Sequence, residues 1–233
     1  MSTEPILRIG GIKETARFKE HLRALQLDIP CDLDVEHVPN SPLRWPLERG
    51  GLSIGNRIAV QPMEGWDAEP DGTPSERTFR RWQRFGSSAA KLIWGGEAVA
   101  VSNEGRANPN QLVRASHTEA RIARLRSVLI DEHRRRTGSE HGLLIGLQLT
   151  HSGRFAKPDL QTKLEPRILY HHPLLDRRYG IAPDYPCLTD PEIEAIIEDF
   201  VEAAVRARDA GLDRKSTRLN SSHEIPSRMP SSA

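Results

Sequence analysis

Three short stretches of this 233-residue chain carry side chains able to act on a ligand: Gln61-Pro62-Met63-Glu64-Gly65-Trp66, Gly95-Gly96-Glu97-Ala98, and Gln148-Leu149-Thr150-His151-Ser152-Gly153-Arg154. They place small residues, an amide, an imidazole and a guanidinium where a turn ordinarily carries Asn, Asp or Gly alone. Gln148 offers both a donor and an acceptor to a planar heterocycle. Arg154 can neutralise a phosphate or pair with Glu97. Plainer roles stand beside these: Gln148 bonded to a neighbouring strand's backbone, and Arg154 in an internal ion pair. On residue types alone the plainer pair is favoured.

The elements that must position these stretches are legible from periodicity. After a polar, proline-containing lead-in to about Pro46, the run Gly51–Met63 alternates and then turns apolar through Ile58, Ala59 and Val60, as a short buried strand does. It ends at Pro62, which has no N–H for a ladder. A helix is expected next, with Thr73 as N-cap, Pro74 at its first position and Glu76 closing a capping box. Phe79, Trp82 and Phe85 recur at helical spacing along it. The second apolar run, Ala90–Val101, reads as one strand. A second helix opens on Ser116 and Glu119, lines up Ile122, Leu125, Val128 and Leu129, and stops near Gly138 behind a basic last turn. Gly142–Arg154 is the third strand. After a long polar loop, a third helix is boxed by Thr189 and Glu192 and closed by Gly211. Alternating strands and helices predict an α/β protein with a parallel sheet. In such sheets ligands sit at the carboxyl ends of the strands, which are the three stretches above.

Composition narrows the partners. With 33 basic and 32 acidic residues, net charge +1, the chain has no overall field to draw nucleic acid or an anionic membrane. A small-molecule substrate fits better, with a homo-oligomer left open. Cys31 and Cys187 lie far apart and outside C-x-x-C spacing, which argues for a reducing, cytoplasmic compartment rather than a disulfide framework. The charged N-terminus has no signal-peptide core, and no apolar run is long enough for a bilayer. Neither G-x-G-x-x-G nor G-x-x-x-x-G-K-[ST] occurs, so Rossmann and P-loop nucleotide sites have no support. His171 and His172 lack the i, i+4 spacing of a zinc helix and read as surface histidines.

In order and separation, NRIAVQPM, KLIWGGEAVAVSNEGR and GLQLTHSGR resemble the N-terminal half of the NADH:flavin oxidoreductase, or old yellow enzyme, family over about Pro42 to Asp213. The resemblance implies a (β/α)8 TIM barrel, here incomplete and limited to its first three βα units. It also implies FMN at the strand ends and NAD(P)H as hydride donor. Gln61, Pro62, Met63 and Glu64 then line the flavin ring, Ala98 is the small residue against it, and Gln148 bonds its pyrimidine edge. Trp66 falls where relatives place a substrate-facing aromatic, and a packing role in the loop is the alternative. Glu64 departs from the Cys or Thr common in relatives. A carboxylate there lowers the flavin's reduction potential unless it is protonated, turned away, or engaged by Arg154 or another base. His151 and Arg154 are expected to support the site from behind. The family's substrate-holding residues, a His with His or Asn three positions on, and its tyrosine donor fall beyond Asp213, so no catalytic acid is assigned.

The function so implied is an FMN-dependent oxidoreductase passing hydride from NAD(P)H, through flavin, to an activated alkene. The alternatives are a non-catalytic truncated remnant and a flavin-free barrel lyase or aldolase, which needs a lysine or an acid pair at the strand ends. Residues 1–41 read as a lead-in and 42–213 as the N-terminal part of the barrel. Residues 214–233, RKSTRLNSSHEIPSRMPSSA, have neither helical nor strand period and read as a disordered tail, most simply a translated adapter. The fourth strand due near Leu212 is not legible in them. An open sheet edge after the third strand is expected to favour aggregation, and the chain alone is expected to be inactive and not to retain FMN.

Overall fold

The computed structural model describes residues 8–34, 36–37, 39–94, 96–212 and 214–219. Residues 220–233 of the expected tail, with Gly95 and Asp213, lie outside the described residues. The chain divides into two units, Met1–Trp45 and Pro46–Ala233. The first holds helix α1, Thr15–Ala24, in which Leu22 is buried.

The second unit opens with a hairpin of β1, Leu47–Arg49, and β2, Leu52–Ile54. The sequence reading runs Gly51–Met63 together as one buried strand; the structure splits it, with Leu52–Ile54 in this hairpin and only Ala59–Val60, exposed and half-buried, in the parallel sheet. The hairpin's turn is Gly50-Gly51, both with positive φ (56° and 77°), as a two-residue loop of matching twist requires. Then follow β3, Ala59–Val60; α2, Glu76–Ser87; β4, Leu92–Ile93; β5, Ala98–Ala100; α3, Glu119–Thr137; β6, Leu144–His151; α4, Pro173–Tyr179; α5, Asp190–Asp209; and β7, Arg214–Leu219. β3 pairs with β4, and β6 pairs with β4, β5 and β7, all parallel.

The expected second strand is in fact two. Leu92 and Ile93 lie beside Leu144 and Ile145, while Ala98–Ala100 lie beside Gln148–Thr150. β4 and β5 are therefore halves of one strand position, parted at residues 94–97. Two helix starts also shift. Ser75, not Thr73, caps α2: its hydroxyl accepts from the N–H groups of Arg77 (3.1 Å) and Thr78 (3.3 Å), and Thr78 closes the box onto Ser75 N–H. α3 begins at Glu119, because the Thr118 hydroxyl is spent on Val113 O (2.7 Å) and Ala115 N–H (3.0 Å). The Thr189–Glu192 box and the left-handed Gly138 stand where expected.

A further correction concerns the tail. Arg214–Leu219 form a strand paired with Gly146–His151. Its sequence lacks a strand period, but a parallel ladder is made by backbone groups, and the open edge of β6 offers them.

Side-chain alternation decides what each strand face meets. Val99, Leu147 and Leu149 enter the core with Phe79, Trp82, Leu125, Leu129, Ala203 and Ala207, between the sheet and helices α2, α3 and α5. Ala98, Ala100, Gln148 and Thr150, at the intervening positions, therefore present the opposite face. Each fully buried aliphatic of the core contributes about 1.5–3 kcal/mol, which holds the strand ends in fixed register.

Candidate functional site

Gln148 and Ala98 are direct partners in the β5–β6 register, side by side near the carboxyl end of the sheet. Both are buried. The Gln148 backbone N–H reaches Glu97 O (3.2 Å), and its side-chain amide makes no hydrogen bond among the described residues. A buried amide with free donor and acceptor, next to a methyl side chain, can take the edge of a flat heterocycle. Gln61, Pro62, Met63 and Glu64 follow β3 on the same carboxyl side; Gln61 and Met63 are exposed, Pro62 and Glu64 partly so. Trp66 is 48% exposed and holds a left-handed φ of 48°. Its indole N–H donates to Glu64 Oε2 (3.0 Å).

The loop carrying these residues is fastened by groups that sequence reasoning does not pair. Glu97 is fully buried. Its Oε1 accepts from Gly65 N–H (3.0 Å) and Ala98 N–H (3.3 Å), and its Oε2 is paired with Arg81 of α2. Arg81 also forks onto Asp67, with Nε to Oδ2 at 2.9 Å and Nη2 to Oδ1 at 2.8 Å, and reaches Gly96 O (3.2 Å). Burial pushes the Glu97 carboxyl up to about 7 against the pull of Arg81. Arg81 is raised despite burial by its two carboxylates, and Asp67, also opposing burial, is held below its ordinary range by Arg81. The available signal was a lone acid closing an apolar run, since a buried charge requires a partner. Gln111 was likewise missed: fully buried, it ties β5 to β6 through Ala98 O and Thr150 Oγ1, both at 3.0 Å.

His151 and Arg154 are not brought to Gln148. Arg154 meets neither Glu64 nor Glu97; its guanidinium is buried, paired with Asp176 and bonded to Tyr170 O (2.5 Å). Asp176 also takes the His171 ring (2.8 Å) and His172 N–H (3.1 Å), which with Arg154 hold its carboxyl low against burial. His171, exposed as a surface histidine, also ties into the Arg154–Asp176 pair, and His172 caps α4 by accepting from Leu175 N–H (3.3 Å). His151 alternates with Gln148 along β6 and lines, with Arg154, Ile193, Ile197 and Phe200, a cavity of about 480 Å³.

The His151 ring accepts from Gly153 N–H at Nδ1 (3.1 Å), so its proton sits on Nε2, and burial lowers its pKa below 6.5. His133, buried between α2 and α3, is lowered for the same reason. A depressed folded pKa stabilises above the unfolded value and is lost as pH falls. The two histidines' contribution to stability should therefore hold above pH 7 and fall below about pH 6.5, by up to about 1.4 kcal/mol per pH unit per histidine, against the opposite slope of the raised Glu97 carboxyl. His151→Asn should remove about half of the histidine contribution, read as the difference in urea midpoint slope between wild type and variant. An unchanged slope would place the titration elsewhere.

The sequence signature of the NADH:flavin oxidoreductase / NADH oxidase family matches residues 42–214, the span that holds every element of this site. The chain belongs to this family. Among curated members, the probable N-methylproline demethylase of Rhizobium meliloti (strain 1021) is 31% identical over 179 residues, covering 76% of this chain and 24% of that protein. The NADPH dehydrogenase of Geobacillus thermodenitrificans (strain NG80-2) is 25% identical over 184 residues, covering 75% and 46%. Among solved structures, morphinone reductase in complex with tetrahydroNAD shares 26% identity at a TM-score of 0.55, covering 76% of this chain and 49% of that one. The old yellow enzyme homologue from Zymomonas mobilis gives 23% and 0.56, covering 75% and 47%. The chain spans about half the length of these structures, and a quarter to a half of the curated relatives. Its parallel α/β sheet is the corresponding part of the barrel fold of the NADH:flavin oxidoreductases.

Proposed function

We propose that this chain supplies part of an FMN site in an oxidoreductase that passes hydride from NAD(P)H to an activated alkene. The observation that carries the reading is the buried Gln148 amide, without a side-chain hydrogen bond among the described residues and in register with Ala98 at the carboxyl end of the sheet. That donor set fits the flavin's pyrimidine edge, and the small Ala98 leaves room for the ring. Hydride relay between NAD(P)H and the alkene is the chemistry FMN supplies when bound. This chain's residues bind and orient: Gln148 at the ring edge, Gln61, Pro62, Met63 and Glu64 along the ring, and Trp66 toward the substrate. Glu64, with Trp66 N–H on one oxygen, is turned toward its own loop, which reduces the charge it directs at the ring. His151 and Arg154 act from the other face of β6, as support. A flavin-free lyase reading is weaker, because Glu97, the buried acid beside β5, is committed to Arg81. The cysteines of the described residues, Cys31 and Cys187, are free thiols, in keeping with a reducing compartment.

No helix among the described residues is long and apolar enough to cross a membrane. Titration of the chain with FMN tests the reading. With this part of the barrel alone, affinity should be too weak to carry FMN through purification, yet measurable by quenching of flavin fluorescence. Gln148→Leu should weaken it about tenfold, because the ring's polar edge would meet an apolar side chain. Equal affinity of the two proteins would remove Gln148 from the site, and a folded wild type that does not quench would remove FMN.

A further inference from the structure

Residues 64–67 adopt a shape the chain would not choose unaided. Trp66 occupies the left-handed region, which costs a non-glycine residue about 1–2 kcal/mol and persists only where surroundings over-determine it. Gly65 packs directly on the Arg81 guanidinium, and a Cβ there would overlap its Nη2, Cζ and Nε. What imposes the shape is visible on both sides of Trp66. Gly65 N–H is held by Glu97, and the Asp67 carboxylate is held by Arg81 and by the Thr78 hydroxyl (2.9 Å). Asp67 O in turn accepts from Thr78 (3.2 Å) and from Ser75, the cap of α2.

Three segments distant in sequence, the loop after β3, helix α2 and the residue before β5, thus converge on one ion network built on the buried Glu97, with Arg81 and Asp67 partly buried. Buried pairs are poor sources of stability, because desolvation offsets their attraction; conformational specificity is what such a network can supply.

We propose that Glu97, Arg81 and Asp67 form a latch whose role is to position the 61–67 loop, holding Gln61, Met63 and Trp66 at the strand ends. At Ala98 and Gln148, Glu97 bonds only the backbone, and Arg81 and Asp67 bond neither residue, so the three are positioning residues. That the loop serves a flavin rests on the reading above, whereas the latch is a property of the folded chain.

Amide hydrogen exchange resolves the two, since Gly65 N–H is itself a latch bond. Glu97→Gln puts an NH2 group in place of one of the carboxylate's acceptor oxygens, and Asp67→Asn weakens the Arg81 fork from the loop side. Both variants should speed exchange at Gly65, whose N–H is bonded to Glu97, at least tenfold, with Leu147–Leu149 of β6 unchanged. Unchanged exchange at Gly65 in both variants overturns the latch. Should Glu97→Gln lose β6 protection and so fail to fold, Asp67→Asn, at the edge of the network, decides alone. FMN titration of the same samples reports separately: a wild type that does not bind FMN but a loop that loosens in the variants refutes the flavin reading and keeps the latch.

Discussion

Arg81→Met should destabilise the chain by about 3 kcal/mol or more at pH 8 and by much less at pH 5.5. The methionine fills most of the volume, so the loss is chiefly electrostatic. Glu97, with 2% of its side chain exposed, keeps two backbone donors but has no cation. Removing one partner of a buried pair costs about 3–5 kcal/mol, because the other charge stays desolvated. The buried carboxyl has an escape, which is to take up a proton. It already titrates near 7 with Arg81 present, against 4.5 for an ordinary glutamate, and without the guanidinium it moves higher still. The sign follows from linkage. A carboxyl raised on folding favours the folded state below its unfolded value, and that contribution is lost as pH rises toward the folded one, at up to about 1.4 kcal/mol per pH unit. Urea unfolding of wild type and variant at pH 5.5, 7 and 8 checks this. A deficit that is the same at all three values would mean that Glu97 is not the seat of the loss.

That network also shows where sequence reading ends. The elements were legible because their signals are local: the apolar run before Gln148, the Thr189–Glu192 box and the glycine at 138 each announce an element within a few residues. Ser75 in place of Thr73 is a local misreading, since both are good caps and only the hydroxyl's reach to Arg77 and Thr78 N–H separates them. The hairpin at 47–54 was announced by Gly50-Gly51, whereas the break at residues 94–97 left no periodic trace. Pairings across the chain are different in kind. Asp67, Arg81 and Glu97 are spread over thirty residues and meet only because α2 packs back on the sheet. Arg154 was expected to reach Glu64 or Glu97 from its type and position, but α4 delivers Asp176 to it first. Gln148 could be placed from sequence because its neighbours on β6 fix its face by alternation. Its lack of a side-chain partner among the described residues, which is what suits it to a ligand, required the structure.

Gly86→Ala should cost at least about 2 kcal/mol, although helix propensity alone predicts a gain of about 1 kcal/mol for the same change. Gly86 lies inside α2 on the seam with α3. A Cβ built there would come within 3.1 Å of Glu132 Cβ and 3.2 Å of His133 N, and closer still to Leu129 O. Two of those three atoms are backbone of the facing helix, so no rotamer change relieves the overlap and the helices must part. Parting them would stretch the bond between His133 Nδ1 and Gly86 O, now 3.1 Å, and loosen Trp82, Leu125 and Leu129, which are fully buried nearby. Overpacking of this kind costs about 1–3 kcal/mol before the strained hydrogen bond is counted, which outweighs the propensity gain. The measurement is a thermal or urea midpoint compared with Ser87→Ala, one residue on, which changes the helix but not the seam. If Gly86→Ala matches or exceeds wild type, the helices are not held at this distance. Because α2 also carries Arg81, a real separation should reach the site as faster exchange at Gly65, linking the tightest packing in the helical layer to the loop at the strand ends.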